Sequence, residues 1–195
     1  MRTRNADKEN LVKQKAIELI VKEGLEGFSM NKLAKACKIS VNTLYIYYKD
    51  RDDLIIKIAC EEGKLASDTM ISEFDCDAGF EEGLRVQWKT RYKYFMDKPL
   101  LNSFFEQLQS STYQHYFTES IDGYKEMVSR FVQNATDRGE IDNLPLEVYW
   151  AIAFAPLYTL ITFHHKGQGP AGEPFKMNDK LLWKTFDLVV KALKK

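Results

Sequence analysis

A pair of short amphipathic helices joined by a two-residue turn restricts a chain to few folds, and residues 29–53, SMNKLAKACKISVNTLYIYYKDRDD, carry that pattern. Ser29 can cap a short helix whose inner side holds Leu33, Ala34 and Cys37. A tight turn follows at Lys38-Ile39, and Ser40 caps a second short helix. The predicted buried stripe of that helix is Val41, Leu44 and Tyr48, spaced i, i+3 and i+7. Asn42, Thr43, Tyr45, Ile46 and Tyr47 then point outward. An exposed face of aromatic and amide groups is costly unless it meets something, and the DNA major groove admits one helix. The stretch therefore predicts a helix-turn-helix that reads double-stranded DNA and feeds a third helix.

These residues resemble the DNA-binding region of TetR-type transcriptional repressors. The family pattern, Leu-Ala-x-x-Ala-Gly-Val-Ser followed by x-x-Thr-Leu-Tyr-x-Tyr-Phe, is matched by Leu33, Ala34, Cys37, Ile39 and Ser40, then by Thr43, Leu44, Tyr45, Tyr47 and Tyr48. The hinge Lys49-Asp50-Arg51 follows. Two departures stand out. Lys38 occupies the usual turn glycine, which predicts a non-glycine residue at φ > 0 at a cost of roughly 1 kcal/mol. Asn42 stands where the family often has Gly and adds an amide able to read a base. The resemblance, with position on the second short helix, implies base contacts from Val41, Asn42, Tyr45 and Ile46. Phosphate contacts are expected from Thr43, Tyr47, Lys49 and Arg51, with Ser29 and Asn31 at the start of the preceding helix.

Charge supports a division of labour. The whole chain is neutral, with 28 basic and 28 acidic residues, yet residues 1–49 hold ten Lys/Arg against five Asp/Glu. That local excess of five positive charges suits one end touching phosphates, and the remainder carries the balancing negative charge. Cys37, Cys60 and Cys76 form no CxxC pair, so a reducing cytoplasm is expected, with Cys37 as a small buried hydrophobe. MRTRNADKENLV lacks the apolar run of a secretory signal. Val148–Phe163 is uncharged but shorter than the roughly 20 residues of a membrane span, and Pro156 interrupts it, so no membrane partner is expected.

Periodicity is helical almost throughout. About nine helices are predicted, an all-α chain with a DNA-binding domain over 1–50 and a helical ligand-binding and dimerisation domain over 51–195. The first helix spans about Asp7–Glu23, with Val12, Ala16, Leu19 and Ile20 inward and Gly24 as its stop. The fourth starts at Asp50, forms a capping box with Asp53 and carries Leu54, Ile58 and Leu65 inward. The fifth runs from about Phe80 to Met96, the sixth opens at Pro99, and the seventh carries Ile121, Tyr124, Val128, Phe131 and Ala135. The eighth starts at Pro145 and is apolar on two sides: Trp150, Phe154, Leu157, Tyr158 and Ile161 on one, Val148, Ile152, Ala155 and Thr159 on another. After the loop at 166–175, the ninth places Leu182, Phe186, Val189, Val190 and Leu193 on one face. The resemblance implies a homodimer through the eighth and ninth helices.

The fifth predicted helix also holds the clearest ligand signal. Arg91 points into the stripe Phe80, Leu84, Trp88, Tyr92 and Phe95, with Gln87 at its edge. A guanidinium among rings needs an anionic or aromatic partner, either a small molecule or an internal carboxylate such as Glu106. The expected effector pocket lies near Trp88, Arg91, Tyr92, Phe95, Phe104, Tyr113, Phe131 and Phe154. Catalytic signals are weak. His164 and His165 are adjacent and face different ways, His115 stands alone, and Asp75-Cys76-Asp77 reads as a capped loop. No phosphate loop, GxSxG elbow or HExxH is present, so no enzyme, metal or cofactor is expected. The competing class is a helical small-molecule enzyme or interaction module whose helix-turn-helix is incidental, and it predicts no salt-sensitive binding to a DNA duplex.

Overall fold

The computed structural model describes the backbone of residues 2–195 and the side chains of residues 7–195. The chain is all-helical. The elements are α1 (Arg2–Gly27), α2 (Met30–Cys37), α3 (Val41–Tyr47), α4 (Arg51–Ile71), α5 (Phe80–Asp97), α6 (Pro99–Gln109), α7 (Gln114–Ser120), α8 (Asp122–Asp137), α9 (Leu146–Ala153), α10 (Ala155–Lys166) and α11 (Asp179–Leu193). Extended pairing among the described residues is limited to isolated bridges, Ile141 with Lys194 and Gln168 with Pro174.

Two compact units result, and they do not follow the expected division after residue 50. One runs to Lys64 and resumes over Leu100–Ser120; the other comprises Leu65–Pro99 and Ile121–Lys195. In the first unit, α1 buries Val12, Ala16, Ile17 and Ile20, and its course breaks at Gly24, whose φ of 77° suits glycine. The expected Leu19 is only half-buried, and Ile17 takes the inward place. On α4 the inward ladder is Leu54, Ile58 and Glu62, with Lys13 Nζ 3.0 Å from the Glu62 carboxylate. A step of four residues from Leu54 skips Leu65, which is 45% exposed and not inward as expected. Phe105 packs on Phe117 with ring centroids 4.8 Å apart, joining α6 to α7. α7 was not predicted because its seven residues bury one side chain, Phe117, too few to show a period.

The second unit packs α10 on α5, α9 and α11. Trp88 meets Phe186 edge-on at 5.4 Å, and Phe131 sits between Phe74 at 5.3 Å and Phe80 at 6.1 Å. The single eighth helix expected from the sequence is two. Pro156 has no N–H for the Ile152 carbonyl, and the chain breaks at Phe154 (φ −124°, ψ −29°) to give α9 and α10. Trp88 Nε1 donates to the Ala153 carbonyl at 2.7 Å, satisfying an acceptor at that break. The segment Leu146–Lys166 is apolar enough by composition to cross a membrane, but this break divides it and its Ala153, Phe154, Leu157 and Ile161 belong to the unit's core.

Phe131 fixes a close approach to α5. A Cβ on Gly83 lies 2.9 Å from Phe131 Cζ, and the rings of Phe74 and Phe80 leave Phe131 little room to retreat. Gly83→Ala is therefore expected to destabilise the fold by about 1–2 kcal/mol, overpacking exceeding the gain in helix propensity. Gly123→Ala on α8, where an added Cβ meets nothing within 4 Å, is expected to stabilise by about 0.5–1 kcal/mol. Urea midpoints of both variants check the opposite signs.

Candidate functional site

The helix-turn-helix is built by its caps. Ser29 accepts from Lys32 N at 3.3 Å, and Ser40 Oγ accepts from Thr43 N at 3.2 Å. Between them Lys38 adopts φ 55°, so the turn takes the left-handed conformation with a side chain that disfavours it. Only Leu44 of α3 is fully buried; Val41 and Tyr48, expected inside, are half-buried. The seated Leu44 turns the opposite face outward. Ile46 is 75% exposed, Tyr45 51% and Tyr47 36%, and Asn42 is exposed one turn before Ile46. Asn31 and Lys49 are also exposed, whereas Ser29 and Thr43 are half-buried and engaged in capping.

Arg51 departs from its expected role. Its Nε donates to the Phe28 carbonyl at 3.2 Å, Nη2 donates to the Leu25 carbonyl, and Nη1 reaches Tyr113 Oη and Asp52 Oδ1, both at 3.0 Å. Tyr113 in turn donates to Asp52 Oδ1 at 2.6 Å. The guanidinium thus clamps the end of α1, the start of α4 and the α6–α7 connection, and is not presented to a phosphate. Asp53 stabilises the same hinge: its backbone N–H donates to Asp50 Oδ1 at 2.8 Å, and its carboxylate accepts from Lys49 N at 2.9 Å. The Lys49 N–H, with the Lys57 ammonium beside it, holds the Asp53 carboxyl below its ordinary range.

In the second unit, Arg91 and Gln87 are fully buried on α5. Arg91 Nη1 donates to the Gln87 carbonyl at 2.8 Å, and its guanidinium carbon lies 3.9 Å from the Phe154 ring centre and 5.0 Å from that of Tyr124. Glu106, named from the sequence as a counter-ion, instead accepts from Asn102 Nδ2 at 3.1 Å; among the described residues no carboxylate pairs with Arg91. Burial works against the arginine's charge, and the hydroxyls of Tyr158 and Tyr149 beside it work in favour. The expected ligand set divides. Trp88, Arg91, Phe95, Phe131 and Phe154 are in this unit, while Phe104 and Tyr113 belong to the first. Tyr92 is only half-buried; Tyr94 holds the inward place the periodicity gave it. At the loop before α5, Asp75 accepts from Asp77 N at 2.9 Å, and Asp77 accepts from Asn134 Nδ2 at 2.7 Å.

Residues 14–58 match the sequence profile of bacterial regulatory proteins, tetR family. A curated "Uncharacterized HTH-type transcriptional regulator" of Haemophilus influenzae is 32% identical over 92 residues, 47% of this chain and 49% of the relative. The helix-turn-helix segment is thus similar to the DNA-binding region of the tetR family. The matched stretch spans about half the length of that curated relative. A TetR family transcription regulator from Marinobacter aquaeolei shares the fold over 100% of both chains, with a TM-score of 0.85 at 23% identity. FadR from Bacillus subtilis, solved in complex with stearoyl-CoA, shares it over 92% of this chain and 96% of its own, with a TM-score of 0.69 at 19% identity.

In this headpiece the clamp is the feature the sequence did not reveal, since Arg51 and Tyr113 are 62 residues apart. Burial and the hydrogen bond to Asp52 push the Tyr113 phenol from an ordinary 10 up to about 12. A phenol kept protonated by the fold adds stability that is complete below the ordinary value and is lost as pH rises through the raised one. Tyr113→Phe is expected to cost about 1 kcal/mol at neutral pH. The gap between the two proteins should narrow as pH approaches 12. Urea midpoints measured side by side across that range check it, and a pH-independent gap counts against the clamp.

Proposed function

We propose that the protein is a homodimeric transcriptional regulator that binds a palindromic operator and is released from it by a small molecule. One observation carries the DNA-binding part: α3 exposes Asn42, Tyr45 and Ile46 together while Leu44 anchors its opposite side. An isoleucine left 75% exposed beside an amide and a phenol suits the methyl groups and base edges of a major groove. Val41, Asn42, Tyr45 and Ile46 contact bases in this reading. Thr43, Tyr47, Lys49, Ser29 and Asn31 contact phosphates, and Arg51 supports them from behind without touching DNA. The protein acts by binding and not by catalysis.

Selection of duplexes from a random pool tests the reading directly, because a palindrome should emerge. Against that operator, Asn42→Ala is expected to lose about 1–3 kcal/mol and its preference at one base pair in each half-site. Lys49→Ala is expected to weaken all duplexes alike and to reduce the salt slope by about one ion per headpiece. Equal base preference in wild type and Asn42→Ala would sink the assignment of Asn42.

The dimer reading rests on apolar surface that the second unit leaves uncovered. Leu188 of α11 is 61% exposed, Val148 of α9 is 41% exposed, and Ala155 and Thr159 of α10 are exposed. A two-fold partner buries such faces against their own copies. Ala155→Glu is expected to place like charges across that seam, giving monomers with weak operator binding. Sedimentation at micromolar concentration checks it; an unchanged dimer puts the interface elsewhere.

Effector release follows if the ligand prefers the arrangement that does not fit DNA. A preference of about 1–3 kcal/mol gives roughly 5- to 150-fold weaker operator binding. The acyl-CoA complex of the similarly folded FadR and the buried, unpaired Arg91 both support a ligand site in the second unit.

A further inference from the structure

The polar atoms around Arg91 are arranged for one kind of guest. With Nη1 donating to the Gln87 carbonyl and the Tyr158 hydroxyl beside the guanidinium, Arg91 Nε and Nη2 have no hydrogen-bond partner among the described residues. Those two nitrogens direct parallel N–H bonds from one side of the guanidinium plane, the pair that grips both oxygens of a carboxylate. Gln87 Nε2 and Oε1 and the hydroxyls of Tyr124 and Tyr149 are also buried and unpaired. All belong to one neighbourhood. Gln87 is one helical turn from Arg91, the Tyr124 ring lies 5.0 Å from the guanidinium, and the Arg91 charge acts on the Tyr149 hydroxyl. Native proteins leave few buried polar atoms unsatisfied, so six in one cluster call for an explanation.

We propose that Arg91, Gln87 and Tyr149 seat the head group of an organic monoanion, a carboxylate carried on an apolar or aromatic body. This deepens the effector reading above and rests on it. Charge count selects the monoanion. Arg91 is a single cation, and the other arginine on α5, Arg85, lies 3.4 Å from Glu81 and is stacked 4.4 Å over Phe186. The second charge of a phosphate monoester therefore has no counter-ion here. The rings of Phe154, Tyr124 and Tyr158 set the body: the head group must shed its water, and apolar contact beside it offsets that loss.

Full-length protein is titrated calorimetrically with octanoate and benzoate, and with methyl octanoate and octyl phosphate as contrasts. Melting temperatures are recorded for wild type, Arg91→Lys and Arg91→Met. At least one acid is expected to bind wild type saturably, raising its melting temperature by roughly 5–10 °C at a hundredfold excess over Kd. The ester and octyl phosphate are expected to bind at least tenfold more weakly. Arg91→Lys keeps the charge but loses the fork, and is expected to bind the acid at least tenfold more weakly. Arg91→Met removes a buried unpaired cation and is expected to melt no lower than ligand-free wild type. Failure of both acids to bind wild type overturns the proposal, as does equal binding of the ester or tighter binding of octyl phosphate. A several-degree drop in Arg91→Met without ligand makes Arg91 a structural group and also overturns it. Operator binding by ligand-free wild type is measured separately: its loss sinks the regulatory reading and leaves a calorimetric carboxylate site standing.

Discussion

The geometry of the headpiece depends on the Arg51 guanidinium. α1 breaks at Gly24 and ends at Gly27, where the carbonyls of its last turn carry the negative end of the helix dipole. Arg51 supplies N–H groups to the Leu25 carbonyl there and to the Phe28 carbonyl just beyond the helix, and still reaches Tyr113 and Asp52. Four acceptors around one flat cation is a task for arginine; an ammonium has three donors and no fixed plane. Because α2 and α3 lie between these two ends of the clamp in sequence, fixing the end of α1 to the start of α4 limits where α3 can point. Lys57 adds a second tie, donating to the Tyr47 carbonyl at 3.2 Å and to Asp53 at 3.0 Å.

Local chemistry made the headpiece legible in the sequence. Short-range rules give Ser29, Ser40 and Asp50 as caps, and each accepts the backbone N–H three residues on. Lys38 was expected at positive φ because the turn demands it, whatever side chain is present. Long-range features were not legible. Nothing in the spacing of Arg51 and Tyr113 announces a bond between them, so one was assigned to phosphate and the other to a ligand. The α9–α10 break illustrates a third case. Pro156 is visible in the sequence, but whether a proline kinks or divides a helix depends on what surrounds the break, here Trp88 of another helix donating to the Ala153 carbonyl. On α5 the spacing places Arg91 inward correctly but Tyr92 with it; Tyr94 is buried in its stead and Tyr92 is half-buried.

Two places in this chain break the usual rules of residue placement. α3 exposes large apolar groups, and α5 buries a charge with an amide beside it. Each is a stability cost for the chain by itself, and in the proposed function each is offset by a matching surface, a groove for Ile46 and an anion for Arg91. A chain whose local choices otherwise agree with its fold concentrates such exceptions where it meets partners. The caps and aromatic packing of the remaining helices show that agreement, which is why the two exceptions carry functional weight.

In the proposed ligand-dependent release, the clamp supplies the discrete element that such regulation requires. The Tyr113 hydroxyl sits between a cation and a carboxylate, 3.0 Å from Arg51 Nη1 and 2.6 Å from Asp52 Oδ1. A hydrogen bond weakens steeply beyond about 3.5 Å, so a shift of about 1 Å in the α6–α7 connection breaks both contacts together. Intermediate positions gain little from either partner, and the joint is therefore made or broken, not gradually loosened. Breaking it leaves Arg51 its carbonyls on α1 but frees the start of α4 from the α6–α7 segment. The orientation of α3 then rests on the shorter ties at Lys57 and Asp53. Coupling of about 1–3 kcal/mol is what one or two such hydrogen bonds supply, and it matches the range needed to move an operator affinity by one to two orders of magnitude.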